Sequence, residues 1–272
     1  MKISIKKFVF SVFSFFVIFA VFEMTSVSAQ IGGGGQSANL GSSISAEVNG
    51  RLGSGVFARL GKKPAAKKTA AKKTQSAKTA KSKTPPAKSG KTQPIETDDF
   101  IDYSILTYKP DTRLNTAQRL VNEFAQTSDE KTLILTLFNA AKAGYDEEAA
   151  KKGKKNDVAL ALTFFLASCI TVYNDAPEPS EQAFDNLYDA LAESLLEDEQ
   201  FAASTDHEKQ EMSETLVYIG GLVLGGYAIG KENNEQETVK AFQNLAGISL
   251  SSLSQLDPDK MSFNKEGLVV SP

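Results

Sequence analysis

The sequence VALALTFFLASCITVY, residues 158–173, decides the fold, because these sixteen consecutive residues carry no charge. A helix with an apolar surface on every side is either buried within a protein or lies in a membrane. The stretch is shorter than the roughly 20 residues of a membrane span. It is also flanked by Asp157 and by the polar run NDAPEP. Both features predict a helix buried at the centre of a helical bundle.

A second apolar segment belongs to the longest predicted helix, which begins at a capping box formed by Thr205 and Glu208. Glycine costs about 1 kcal/mol relative to alanine inside a helix, so several glycines together require a compensating contact. We expect the Phe164 and Phe165 side of the first apolar helix, or else Tyr145, to lie against these glycines. They are Gly220, Gly221, Gly225 and Gly226.

Apolar residues recur at helical spacing through most of the remaining sequence after residue 97. Alternation typical of a strand occurs only at 101–108. The predicted fold is therefore all-α, a single bundle of about five to seven helices around two buried apolar helices. Four further helices are predicted. One starts behind a cap pair at Asn115 and Gln118, and a second runs from Ser128 to Gly153. A third follows a cap at Ser180, and the last extends from about Asn234 to Leu253.

Composition divides the chain into three parts. Residues 1–29 combine a basic start, an apolar run rich in Phe and Val, and small residues before Gln30, which is the pattern of a secretory signal peptide. Residues 30–96 hold too few large apolar residues to form a core, which predicts a disordered linker. Residues 97–272 are long enough for one globular domain. We therefore expect an exported protein, periplasmic or secreted, that is not an integral membrane protein once the leader is removed.

Charge is segregated between the linker and the domain. Residues 97–272 contain 30 acidic and 14 basic residues, whereas residues 62–94 contain eleven lysines and no acidic residue. The lysines either keep the linker extended by self-repulsion, fold back on the acidic domain, or bind an external anion. In an exported protein such anions are cell-envelope polymers, lipid headgroups or extracellular DNA. The candidate anion contacts in this run are Lys62, Lys63, Lys67, Lys68, Lys72 and Lys73.

One basic island, KKGKKND at 151–157, interrupts the acidic domain. Lys154 and Lys155 precede a helix start, where free backbone donors favour anions. The same residues also fit a helix end, a turn and the cap of the next helix. Both interpretations remain open from the sequence.

The sequence offers little for catalysis, and it predicts no cofactor and no metal site. His207, the only histidine, lies in the first turn of a helix, and Cys169, the only cysteine, lies within an apolar run. An enzyme is therefore not expected. The alternative is a cell-wall hydrolase with two carboxylates about 5 to 9 Å apart. The acids that could supply such a pair are Asp146, Glu147 and Glu148, or Glu208, Glu211 and Glu214.

Three runs carry a resemblance: YKPDTRL at 108–114, YDEEAAKKGKKNDVALALTFF at 145–165, and EKQEMSETL at 208–216. In this order they resemble a family of uncharacterised secreted bacterial domains, over about residues 100–270. The resemblance implies an exported bacterial protein with an all-helical domain, and it implies no chemistry. Met212 and Ser213 depart from the larger apolar and aromatic residues expected at those positions.

Together these features predict an exported, envelope-associated interaction or structural protein, with a cationic tether and an acidic helical domain.

Overall fold

The computed structural model describes residues 51, 52, 56, 57 and 102–271. Within these residues the chain is all-α, as predicted, with seven α-helices and one two-stranded sheet. The predicted leader and most of the predicted linker lie outside the described residues. The helices are α1 (Thr116–Phe124), α2 (Ser128–Lys151), α3 (Val158–Tyr173), α4 (Glu181–Leu196), α5 (Glu199–Ala202), α6 (Asp206–Glu232) and α7 (Gln236–Ser254), and the strands are β1 (Met261–Phe263) and β2 (Leu268–Val270).

Helix α3 is the centre of the bundle. Every residue from Val158 to Val172 is buried, which confirms the prediction made from its uncharged sequence. Helix α6 packs along it, and a Cβ atom added at Gly220 would lie 3.2 Å from the Phe164 ring and 3.2 Å from the Phe165 backbone. The predicted approach of this side of α3 to the glycines is therefore confirmed at Gly220.

The neighbouring glycines contact other helices. A Cβ atom on Gly221 would lie 2.3 Å from the Cβ atom of Ala141 in α2. One on Gly226 would overlap the ring of Phe242 in α7. Tyr145, the alternative partner considered from the sequence, instead packs its ring 5.8 Å from that of Phe164. Three helices thus approach α6, each at a different glycine, and α6 shares the core with α3.

Most helix starts carry the caps that the sequence predicts. Thr205 and Glu208 form both hydrogen bonds of a capping box at α6, and the Ser180 hydroxyl accepts from the Ala183 amide at α4. The cap pair predicted at α1 is wrong, because Asn115 makes no side-chain cap hydrogen bond. Gln118 instead donates to Asn122 one turn further along the helix, at 3.5 Å.

The alternating stretch at 101–108, the one strand-like signal in the sequence, forms no strand where it is described. Tyr103–Leu106 forms a short 3-10 helix, and Thr107 makes a single bridge to Asp157. No adjacent strand lies beside this stretch in the described chain, and the Lys209 ammonium donates to the Ile105 carbonyl at 2.8 Å. The sheet forms instead in the tail, where β1 pairs antiparallel with β2.

Four described residues of the predicted linker belong to the folded domain. Leu52, Val56 and Phe57 are part of the hydrophobic core, and Val56 is only 1% exposed. Arg51 donates to the Glu208 carbonyl at 2.8 Å and forms an ion pair with Glu211 at 2.9 Å. The linker therefore contains a segment that packs near the start of α6.

We expect the substitution Arg51→Ala to lower the free energy of unfolding by about 1 kcal/mol, because it removes a charge-assisted hydrogen bond and a partly buried ion pair. Chemical denaturation of the full chain measures this change. Arg113→Ala is the matched control, because the Arg113 side chain is 88% exposed in its ion pair with Asp111. Equal effects of the two substitutions would contradict a packed Arg51.

Candidate functional site

The predicted anion contacts fall in two places. The six lysines between Lys62 and Lys73 lie outside the described residues. Lys154 and Lys155 lie in the turn between α2 and α3, after Gly153, which has a φ of +68°. The turn joins the end of α2 to the cap of α3, as one of the two interpretations predicted.

The Lys154 side chain faces acidic and aromatic groups. Its ammonium lies 3.4 Å from the centroid of the Tyr188 ring, a cation–π contact. Burial lowers the pKa of Lys154, and the nearby Asp157, Asp189 and Asp185 oppose that shift. Lys155 is exposed. Lys154 therefore already has a structural role in the contact between this turn and α4.

A buried polar cluster surrounds the first turn of α3. The Asp157 carboxylate accepts from the Leu160 amide at 2.9 Å and from the Tyr188 hydroxyl at 2.8 Å. The Tyr145 hydroxyl donates to the Asp157 backbone carbonyl at 3.2 Å. Burial raises the pKa of Asp157, although these hydrogen bonds and Lys154 favour the ionised form. The cluster joins α2, α3 and α4 at one end of the bundle.

A second polar cluster lies along the first half of α6. The Gln210 side chain accepts from the Asp111 amide at 2.6 Å and donates to the Glu214 carboxylate at 2.9 Å. The Tyr108 hydroxyl donates to Ser213 at 3.4 Å, and burial raises the pKa of Tyr108 to about 12. The small Ser213, unexpected from the sequence resemblance, therefore makes room for a tyrosine hydroxyl.

The six acids of the hydrolase alternative each have a partner. Lys142 pairs with Asp146, and Lys151 pairs with both Glu147 and Glu148. In α6, Glu208 closes the capping box, which lowers its pKa through hydrogen bonds from Thr205. Glu211 pairs with Arg51 and Arg119, and Glu214 accepts from Gln210. These contacts give each carboxylate a structural role.

His207 and Cys169 lie where the sequence predicts. His207 is exposed in the first turn of α6. Cys169 is fully enclosed by apolar side chains, and burial raises the pKa of its thiol, which disfavours the nucleophilic thiolate. Among the described residues there is no group of three or more His, Cys, Asp or Glu side chains that could hold a metal ion.

A groove of about 350 Å³ lies between the loop after α3 and the hairpin of β1 and β2. Its floor includes Ile170 and Thr171 of α3, and its walls include Pro177, Pro179 and Phe263. We call this the hairpin groove. Thr171 is 7% exposed, and its Oγ1 atom is buried without a hydrogen-bond partner. The sequence does not predict this groove, and its one sequence signal is the proline-containing run NDAPEP at 174–179.

Two side chains close the ends of the hairpin groove. The Asn174 side-chain amide donates to the Met261 carbonyl at 2.9 Å. The Ser180 hydroxyl donates to the Lys265 carbonyl at 3.3 Å. The loop therefore lies along the edge of β1 that faces away from β2.

Helix α6 is the one helix in the described chain whose length and composition would suffice to cross a membrane. However, 72% of its apolar window is buried inside the domain. A helix that lies in the core of a domain is buried to this extent.

Neither a curated protein nor a solved structure matches the chain. One family matches it, a family of unknown function (DUF6683), over residues 58–271. The match covers the lysine run as well as the helical domain, and it begins one residue after the buried Phe57. It extends over more than half of the chain, and the chain therefore belongs to the DUF6683 family.

Proposed function

We propose that this protein is an exported, envelope-associated interaction or structural protein, whose lysine run binds anionic polymers or lipid headgroups. The observation that carries the proposal is the segregation of charge between the run, with eleven lysines and no acid, and the domain, with 30 acidic and 14 basic residues. The leader supports export, because its order of basic, apolar and small residues is that of a signal peptide.

The surface of the domain supports interaction through charge rather than through an apolar patch. Among the described residues, Tyr103 is the large hydrophobic side chain that is exposed, at 56%. A single exposed aromatic residue is normal for a protein surface and does not form an apolar interface. The acidic domain would repel the anions that the lysines attract. The lysine run would therefore be the part of the chain that contacts the envelope.

A binding role, rather than catalysis, is supported by the contacts of the candidate acids. Each of the six carboxylates is held by a cap, an ion pair or an amide, as described above. None of them is brought into the hairpin groove, whose lining includes Glu178 as its acidic residue. The hydrolase alternative gains no supporting observation from this geometry.

The test is co-sedimentation of the full chain with vesicles of phosphatidylglycerol and phosphatidylcholine, and with purified cell wall. We expect deletion of residues 62–94, or replacement of its eleven lysines by glutamine, to weaken binding at least about 10-fold, since each surface lysine contributes about 1 kcal/mol. Raising the salt from about 50 mM to about 200 mM should weaken binding of the intact chain strongly.

The matched control is the double substitution Lys154→Glu and Lys155→Glu, which changes charge within the acidic domain and should leave sedimentation unchanged. Circular dichroism must first show that this variant is folded, because Lys154 packs on Tyr188. Vesicles of phosphatidylcholine alone should not bind the chain. Binding that is insensitive both to the loss of the lysines and to salt would refute the proposal. Loss of binding in the Lys154 and Lys155 variant would place the anion site in the turn before α3 instead.

A further inference from the structure

We propose that the hairpin groove binds a short zwitterionic peptide of about two or three residues, which adds to the free edge of β1. Extended peptides commonly bind proteins in this way, by hydrogen bonding to an exposed strand edge. The inference rests on the groove alone and is independent of the lysine run.

The pairing of β1 with β2 shows which backbone groups face the groove. The Asn264 amide donates to the Gly267 carbonyl at 3.0 Å, and the Ser271 amide donates to the Lys260 carbonyl at 2.8 Å. Hydrogen-bonded positions alternate along an antiparallel pair, so residues 260, 262 and 264 bond to β2. Residues 261 and 263 therefore direct their backbone groups away from β2, toward the loop after α3.

Phe263 is the position on this edge that stays open. The carbonyls on either side of it, those of Met261 and Lys265, are occupied by Asn174 and Ser180. The Phe263 amide and carbonyl have no hydrogen-bond partner among the described residues, and Phe263 lines the groove. One donor and one acceptor on a single residue match the donor and acceptor of one residue in an extended peptide.

The size of the groove sets the length of the ligand. Strand β1 ends at Phe263 and Lys265 lies in the turn beyond it, so the span from Met261 to Lys265 is at most about 13 Å at 3.3 Å per residue. Because side-chain hydrogen bonds close both ends of this span, a long strand cannot run through it. A volume of about 350 Å³ is at the lower end of the range for small-ligand sites. These dimensions favour a short peptide over a protein segment.

The lining supplies the remaining contacts. Pro177, Pro179 and Phe263 provide apolar faces for small side chains, and the unpartnered Thr171 hydroxyl would donate a hydrogen bond to a ligand carbonyl. The lining also contains one acidic and one basic residue, Glu178 and Lys265, both exposed. Their opposite charges complement the amino and carboxylate termini of a free peptide.

The experiment titrates the full chain with trialanine and follows backbone amide shifts by NMR. We expect saturable shifts at Thr171 and Phe263, with a dissociation constant of ~1 mM or tighter. Acetylated and amidated trialanine, which lacks both terminal charges, should bind more weakly. N-acetylglucosamine tests a different ligand class that also offers an amide. Saturable binding of this sugar without binding of trialanine would overturn the assignment, as would the absence of shifts with the peptide.

Two variants of Phe263 distinguish the contribution of its backbone amide to peptide binding from that of its side chain. Phe263→Ala keeps the backbone amide, whereas Phe263→Pro removes it at an edge position where proline is tolerated. We expect the alanine variant to weaken trialanine binding a few-fold and the proline variant at least about 10-fold, with the hairpin intact by NMR. Equal affinities of the two variants would refute addition to the strand edge.

A second pair tests the hydroxyl on the floor. Thr171→Val should weaken trialanine binding about 5-fold through the loss of one hydrogen bond, without loss of stability. Thr215→Val is the control, because Thr215 also has a buried hydroxyl without a partner and does not line the groove. If both variants change the affinity equally, the Thr171 hydroxyl has no role in binding.

Discussion

Gly221→Ala is expected to lower the free energy of unfolding by about 2 kcal/mol, although alanine is the better helix former by about 1 kcal/mol. The added Cβ atom would lie 2.3 Å from the Cβ atom of Ala141 and 3.6 Å from its Cα atom. A methyl group fixed to the backbone of α2 cannot rotate away. Helices α2 and α6 would therefore have to separate, which loosens the packing around both.

The reciprocal exchange makes this prediction specific. Ala141→Gly alone should destabilise the protein by about 1 kcal/mol, because it places glycine inside α2. The double variant Gly221→Ala, Ala141→Gly moves one methyl group across the interface and cancels the two propensity changes. Chemical denaturation should show its stability close to that of the original chain. A double variant as unstable as Gly221→Ala would show that the clash with Ala141 is not the cause.

The glycines of α6 show which part of the packing the sequence can predict. Their number and helical context were sufficient to predict that other helices approach α6 closely. The identity of each neighbour depends on tertiary packing, and it differs at Gly220, Gly221 and Gly226, which meet α3, α2 and α7. The sequence therefore predicts the existence of the close contacts, while their partners come only from the structure.

The sequence predicts a local hydrogen bond correctly where a side chain has one available partner nearby in the chain. The capping box at Thr205 and the cap at Ser180 are of this kind, because the acceptor and the donor are three residues apart. At Asn115 a second solution exists, since Gln118 can bond to Asn122 within the helix. A spacing pattern cannot decide between two such local hydrogen bonds.

The hairpin groove could not be found from the sequence, because two distant segments build it. The contact between Ser180 and Lys265 joins residues 85 positions apart. The strands β1 and β2 have three residues each, which is too short for an alternating pattern to be recognised. Their pairing and the loop against them determine the site.

The sequence does not predict the packing of residues 51, 52, 56 and 57 for a different reason. Composition is averaged over a window, and the linker around Val56 and Phe57 is rich in glycine, serine and lysine. Three apolar side chains cannot form a core alone, but they can complete one that the helices have built. The charge of Arg51 was informative only together with Glu211, which lies 160 residues away.

Asp157→Ala is expected to destabilise the domain by about 3 kcal/mol. The substitution removes the cap of the central helix α3, which costs about 1 kcal/mol. It also leaves the buried Tyr188 hydroxyl without its acceptor, which costs about 2 kcal/mol. Chemical denaturation measures the loss, and Tyr188→Phe should show the part that belongs to the hydroxyl contact. Tyr227→Phe is its control, because the hydroxyl of Tyr227 donates to Asp175 at the surface.

Asp157→Asn separates the charge from the shape of the side chain. Asparagine keeps one carbonyl oxygen for the Leu160 amide, so this variant should lose less stability than Asp157→Ala. Because burial raises the pKa of Asp157 above 3.8, the folded protein binds its proton more tightly than the unfolded chain does. The stability that this proton contributes is complete below the unfolded pKa and is lost as pH rises through the folded pKa. The free energy of unfolding of the original chain should therefore exceed that of Asp157→Asn most at low pH, and this difference should decrease as pH rises from about 4. A difference that grows with pH would instead show that the fold stabilises the carboxylate.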